Sequence, residues 1–166
     1  KKMHVLGTPP ELEFFVDHVT SRFGEKPVAI CGDHSGFDMK TLAKKVLDRN
    51  GIPYIDFGTY IKKDCDYNEY VIAAVDSIRN KTCDFGMGFC RTGQGINILA
   101  NHLDGIRSAL VMDDYTAEYA LRHNCVNFFS IPEKYVSEET FDSMIKIWKK
   151  TTFDGGRHMT RMKHIM

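Results

Sequence analysis

The chain has 166 residues, 43% hydrophobic and 27% charged, which suffices for one domain with a real core. Lys+Arg and Asp+Glu both number 22, and this zero formal charge argues against a general nucleic-acid or membrane-surface binder. Five widely spaced cysteines without a Cys-x-x-Cys read as reduced thiols of a cytoplasmic protein, not as a disulfide scaffold or zinc site, and no apolar run approaches a membrane span.

Residues 1–25 read as an added helical extension. Thr8-Pro9-Pro10-Glu11 has the form of a capping box with proline at the first helical position. Leu12, Phe15, Val16, Val19 and Phe23 then recur at helical spacing, and Gly24 would end the helix. Residues 26–166 form the main domain. A strand is predicted at 26–32, then a helix at 37–50 with Met39, Leu42, Ala43, Val46 and Leu47 on one face and lysines opposite. A strand at 52–57, a polar loop at 58–67 and a helix at 67–80 follow. Next come strand 85–89, helix 93–101, strand 106–112, helix 114–123, strand 126–131 and helix 137–150. Strands alternating with helices argue for a three-layer, Rossmann-like, doubly wound fold with a five-stranded parallel sheet. In such a sheet, sites lie at the carboxyl ends of the strands.

The stretch Gly86-Met-Gly-Phe-Cys-Arg-Thr-Gly-Gln-Gly-Ile-Asn97 passes from a strand through a glycine-rich turn into a helix. Such a turn leaves several backbone N–H groups pointing one way and favours an anion. A thiol beside it is a candidate nucleophile or base, because the same field favours thiolate. The alternative is a buried structural cysteine in an ordinary turn. A dinucleotide fingerprint is excluded because Ile98 stands where its third glycine belongs, and no Gly-Lys-Ser/Thr occurs. Further polar clusters fall at strand ends: Asp33/His34, Asp66/Tyr67 and Asp113/Asp114, of which Asp33, Asp66 or Asp114 could instead cap helices. Acid, imidazole, phenol, thiol and amides in one crevice fit proton transfer next to a carbonyl on a small polyol. The tail at 153–164 is glycine-hinged and basic. Its Arg157 and Arg161, four apart, face one way on a helical turn and suit a phosphate; the alternative is a solvated basic tail.

Several stretches carry a family resemblance: Gly32-Asp-His-Ser-Gly-Phe37, Ile55-Asp-Phe-Gly-Thr59, Asp66-Tyr67, Cys90-x-Thr-Gly-x-Gly95 with Ala100-Asn101, Gly105-Ile-Arg107, His123-Asn124 and Gly155-Gly-Arg-His158. In this order, over roughly residues 26–166, the chain resembles the type B ribose-5-phosphate isomerases, the family shared with galactose-6-phosphate isomerase subunits. The resemblance implies an aldose–ketose isomerase that needs no metal or cofactor and works through a cis-enediolate. Cys90 would be the base, with a depressed pKa, and Thr92 would help hold it. The amides around Gly93, Gly95, Ile96 and Asn97 would stabilise the enediolate oxygen. Asp33 and His34 would contact the sugar and assist ring opening. Asp66 and Tyr67 would hold substrate hydroxyls, with Asn124 a further contact. Arg157 and Arg161, on the 153–166 arm, would bind the phosphate in a neighbouring subunit's site, which implies at least a homodimer. Two positions depart from the pattern. Met112 stands where many members have the ring-opening histidine, which shifts that role to His158, and Arg91 stands where glycine is usual. Ribose 5-phosphate is the expected substrate. A six-carbon aldose phosphate such as galactose 6-phosphate or allose 6-phosphate, or sugar-phosphate binding without catalysis, are the alternatives.

Overall fold

The computed structural model describes residues 26–162, 164 and 165. The helix expected at 8–23 lies outside the described residues. Strands and helices alternate as β1 (Val28–Gly32), α1 (Phe37–Arg49), β2 (Tyr54–Asp56), α2 (Asn68–Arg79), β3 (Phe85–Cys90), α3 (Gln94–His102), β4 (Ser108–Leu110), α4 (Asp114–Asn124), β5 (Phe128–Pro132), α5 (Glu138–Lys150) and α6 (Arg157–Met162). Every strand pairing is parallel, in the order β2-β1-β3-β5-β4.

The apolar residues explain the layers. β1, β3 and β5 are buried at every position, as strands covered on both faces must be. Side-chain alternation then builds two cores. Val28, Ile30, Met87, Phe89, Phe129 and Ile131 join side chains of α1, α4 and α5 on one face. Ala29, Cys31, Cys90 and Phe128 meet α2 and α3 on the other. Phe85 packs edge-on against Phe129 at 4.9 Å and Trp148 at 5.4 Å, tying α5 to the sheet.

Both edge strands are shorter than their apolar runs suggest. Pro53 has no N–H for a ladder, so β2 begins at Tyr54. The Arg107 amide donates to Asn127 Oδ1 at 2.8 Å instead of to a strand, so β4 begins at Ser108. Asp113, not Asp114, caps α4. Its carboxylate accepts the Thr116 amide at 2.7 Å in a capping box, which commits this group to the helix. Ser137 caps α5 in the same way. Among the described residues, no helix is long and apolar enough to cross a membrane.

Candidate active site at the carboxyl end of the sheet

Cys90 is the last residue of the central strand β3. Gly93, at φ 72°, is the N-cap of α3, in the left-handed region that glycine adopts without a Cβ clash. This tight entry folds the helix start back over the sulfur. The Gly93 amide donates to Cys90 Sγ at 3.1 Å, and the amides of Thr92 and Ile96 also point to it. The anion-favouring turn therefore closes on the thiol itself. The Asn97 amide, expected among the free donors, instead makes the first helical bond, to the Gly93 carbonyl at 3.0 Å. The Thr92 hydroxyl lies 3.5 Å from the Gln94 amide, so Thr92 supports the thiol through its backbone.

The expected fall in the Cys90 pKa does not occur in this chain. Burial pushes the thiol up and outweighs the lowering by the Ile96, Gly93 and Thr92 amides, and the Asp33 charge pushes the same way as burial. Cys90 is only 5% exposed. Thiolate should therefore form only above the ordinary thiol range in the free protein. The rate of Cys90 alkylation by iodoacetamide, followed on its own peptide by mass spectrometry, should still be rising at pH 9. A rate already at its plateau at pH 7 would show that the amides win.

Three groups flank the turn. Asp33 is buried at the end of β1, where its Oδ1 accepts the Gly36 amide at 2.9 Å. His34 places Nδ1 3.1 Å from the Cys65 carbonyl and 3.2 Å from the Cys65 amide, so the loop after β2 braces its ring. Tyr67 lies across Gly95. A Cβ there would fall 2.5 Å from the Tyr67 hydroxyl, so only glycine allows the approach. Asp66 is exposed beside it. A hollow of about 310 Å³ opens next to the turn, lined by His34, Ser35, Asp38, Lys62, Asp64, Arg91 and Glu133. Arg91 thus faces the hollow, and Cys90 lies just inside the packed core.

Lys40 does not point to solvent with the other lysines of α1. It is 1% exposed. Its ammonium pairs with Asp56 and donates to the Thr59 carbonyl at 2.8 Å, while Lys44 also pairs with Asp56. Burial alone would raise the Asp56 pKa, but Lys40, Lys44 and the Gly58 amide together hold it below the usual range. The helical spacing of Lys40, Ala43 and Leu47 could have placed this lysine inward.

The remaining candidates lie elsewhere. α4 leaves the carboxyl end of β4 and returns along the sheet, so His123 and Asn124 stand at the opposite end from Cys90. α6 packs there. The His158 ring stacks on His123 at 4.1 Å, and Arg157 and Arg161 are exposed. Burial, then the neighbouring His123, Arg157 and Arg161, lower the His158 pKa, which favours its neutral ring. Within one chain the Cys90 turn and the arginine tail do not meet. Met112 is 38% exposed, two residues past the end of the edge strand β4.

Residues 28–165 match the family model described as Ribose/Galactose Isomerase. Ribose-5-phosphate isomerase B of Escherichia coli is 31% identical over 140 residues, covering 84% of this chain and 94% of that one. The provisionally named sugar phosphate isomerase YwlF of Bacillus subtilis is 35% identical over 143 residues, 83% of this chain and 93% of its own. The crystal structure of a ribose 5-phosphate isomerase from Thermotoga maritima superposes with a TM-score of 0.82 at 36% identity, covering 86% of this chain and 98% of that one. Ribose-5-phosphate isomerase B from Mycoplasma genitalium, with bound ribulose-5-phosphate, gives 0.79 at 26% identity over 86% of this chain and 95% of its own. With the family's motifs seated around the Cys90 turn and on the tail, and these matches spanning the whole described domain, the chain belongs to the ribose/galactose isomerase family of sugar phosphate isomerases, with the type B ribose-5-phosphate isomerases.

Proposed function

We propose that the protein interconverts ribose 5-phosphate and ribulose 5-phosphate, with Cys90 as the base. The observation that carries this reading is the convergence of the Thr92, Gly93 and Ile96 amides on one sulfur at a strand end. Cys90 thiolate takes the hydrogen from C2 of the open-chain aldose. The carbonyl electrons move onto O1 as the cis-enediolate forms, the O2 hydroxyl proton passes to O1, and the thiol returns its proton to C1 as the C2=O2 carbonyl forms. Donors already in place for the thiolate and the developing oxyanion favour the transition state over the substrate. On this reading the Gly95 amide stabilises that oxygen, and Tyr67 and Asp66 hold the sugar hydroxyls. A phosphorylated sugar is the bound partner of the Mycoplasma genitalium protein.

The separation of the two halves within one chain supports a homodimer with shared sites. A second copy would bring Arg157 and Arg161 to the phosphate, and His158 and Asn124 to the sugar. The neutral His158 imidazole then takes the anomeric hydroxyl proton as the bond from C1 to the ring oxygen breaks, and a proton passes to that oxygen, with Asp33 or His34 assisting. Five free cysteines accord with a cytoplasmic setting. An isomerase assay over five- and six-carbon aldose phosphates tests the substrate. The highest kcat/KM is expected on ribose 5-phosphate, and a higher value on a six-carbon sugar would displace that assignment. His158→Ala is expected to slow turnover of the cyclic sugar at least about tenfold. Unchanged turnover in that variant would remove His158 from ring opening.

A further inference from the structure

The hollow beside the Cys90 turn has charged walls, and most of the charges on them are matched. Asp38 pairs with Lys62, and Asp64 Oδ1 lies 3.7 Å from His34 Nε2. Arg91 and Glu133 are left over. Among the described residues, neither side chain makes a hydrogen bond or an ion pair, with the other or with a third group. Their backbones, in contrast, are held together. The Glu133 amide donates to the Cys90 carbonyl at 2.9 Å, and the Lys134 amide donates to the Arg91 carbonyl at 3.2 Å. The exits of β3 and β5 thus aim a guanidinium and a carboxylate at one hollow, beside the sulfur. Glu133 is half-buried, so a carboxylate without a donor there is under-satisfied. An anion in the hollow would suit Arg91 but be repelled by Glu133, and a cation the reverse. A hydroxyl suits both at once. Its oxygen accepts from the guanidinium while its O–H donates to the carboxylate.

We propose that Arg91 and Glu133 together bind the C3 hydroxyl of the open-chain sugar phosphate and select its configuration. The proposal rests on the isomerase reading above. That reading sets C2 against the Cys90 sulfur and the phosphate against the tail of a second copy. C3 is then the first carbon past the reacting pair, and Arg91 directly follows Cys90 in the chain. The C3 hydroxyl takes no part in the proton transfers among C1, C2 and their oxygens, so it is free to serve as a handle. Ribose 5-phosphate and xylose 5-phosphate differ only in its direction. The ribose configuration presents it to Arg91 and Glu133. The xylose configuration turns it away and leaves both groups without a partner. A site built to hydrogen-bond a hydroxyl discriminates strongly against a substrate that fails to present it.

The test uses the full chain and two unreactive open-chain probes, ribitol 5-phosphate and xylitol 5-phosphate, which differ only at C3. By calorimetry, the parent should bind ribitol 5-phosphate at least about tenfold more tightly. Arg91→Ala and Glu133→Ala should each bring that ratio to about twofold or less, by weakening ribitol 5-phosphate more than xylitol 5-phosphate. Equal binding of the two probes by the parent, no binding of either, or a ratio that either substitution leaves unchanged would each overturn the proposal. A merely structural or general electrostatic role weakens both probes alike and so leaves the ratio unchanged. Both side chains line the hollow and not the core, so the variants should fold as the parent does. The readout needs no turnover. A ratio that collapses in the variants of a parent that isomerises no sugar would remove the isomerase reading and leave these contacts. Isomerisation with an unaffected ratio would do the opposite.

Discussion

Cys90→Ala is expected to lower kcat on ribose 5-phosphate by about 10²–10⁴-fold, the usual contribution of a positioned base, while Tm changes little. Only one sulfur atom is lost from the core cluster, so little void is left. The same variant tests how the site is assembled. An Arg157→Ala/Arg161→Ala double variant should also be nearly inactive, because the phosphate loses both guanidinium groups. Co-expressed with Cys90→Ala, it should recover about a quarter of the parent activity, since random pairing makes half the dimers mixed and each mixed dimer holds one intact site. This follows from the position of the tail, at the far end of the sheet from Cys90. A co-expressed mixture as inactive as its components would mean that each site is completed within one chain.

Lys40→Met should destabilise the fold by about 3 kcal/mol, the lower end of the cost of breaking a buried ion pair, because Lys44 still neutralises Asp56. Denaturant unfolding measures this. The loss should reach the site as well. Lys40 bonds the Thr59 carbonyl at the start of the loop that braces His34 through Cys65 and carries Asp66 and Tyr67. KM should therefore rise more than kcat falls. An unchanged KM would show that the loop holds its place without this lysine. The pH dependence has a definite sign. The Asp56 pKa is depressed on folding, so its contribution is complete above the ordinary carboxylate range and is lost as pH falls through the depressed value.

The architecture was legible because burial leaves a plain mark on composition. Strands covered on both faces read as continuous apolar runs, and each is followed by a helix of correct length. Edge strands were harder. Their ends depend on single hydrogen bonds, such as the Arg107 amide to Asn127, which no periodicity encodes. The turn after β3 could be located from Gly93 and Gly95, but the target of its amides could not. Three converge on the sulfur, and the Asn97 amide is consumed by the helix. The rise in the Cys90 pKa is hidden from the sequence for a related reason. Anion-favouring amides are visible in a motif, whereas the burial that opposes them also depends on Cys31 and Phe128, which are distant in sequence. Residue type points Lys40 to solvent, whereas its spacing from Ala43 and Leu47 places it on the inner face. The sharing of one face by Arg157 and Arg161 can be read from their spacing, but the helix α6 that carries them and its seat against α4, with the His123–His158 stack, cannot.

The most direct test follows the hydrogen itself. With ribose 5-phosphate in deuterium oxide, the protein should incorporate solvent deuterium at the carbon next to the carbonyl as ribulose 5-phosphate forms, read by proton NMR. Cys90→Ser should reduce both exchange and isomerisation to background. Exchange at the parent rate in Cys90→Ser would contradict a sulfur base at this strand end.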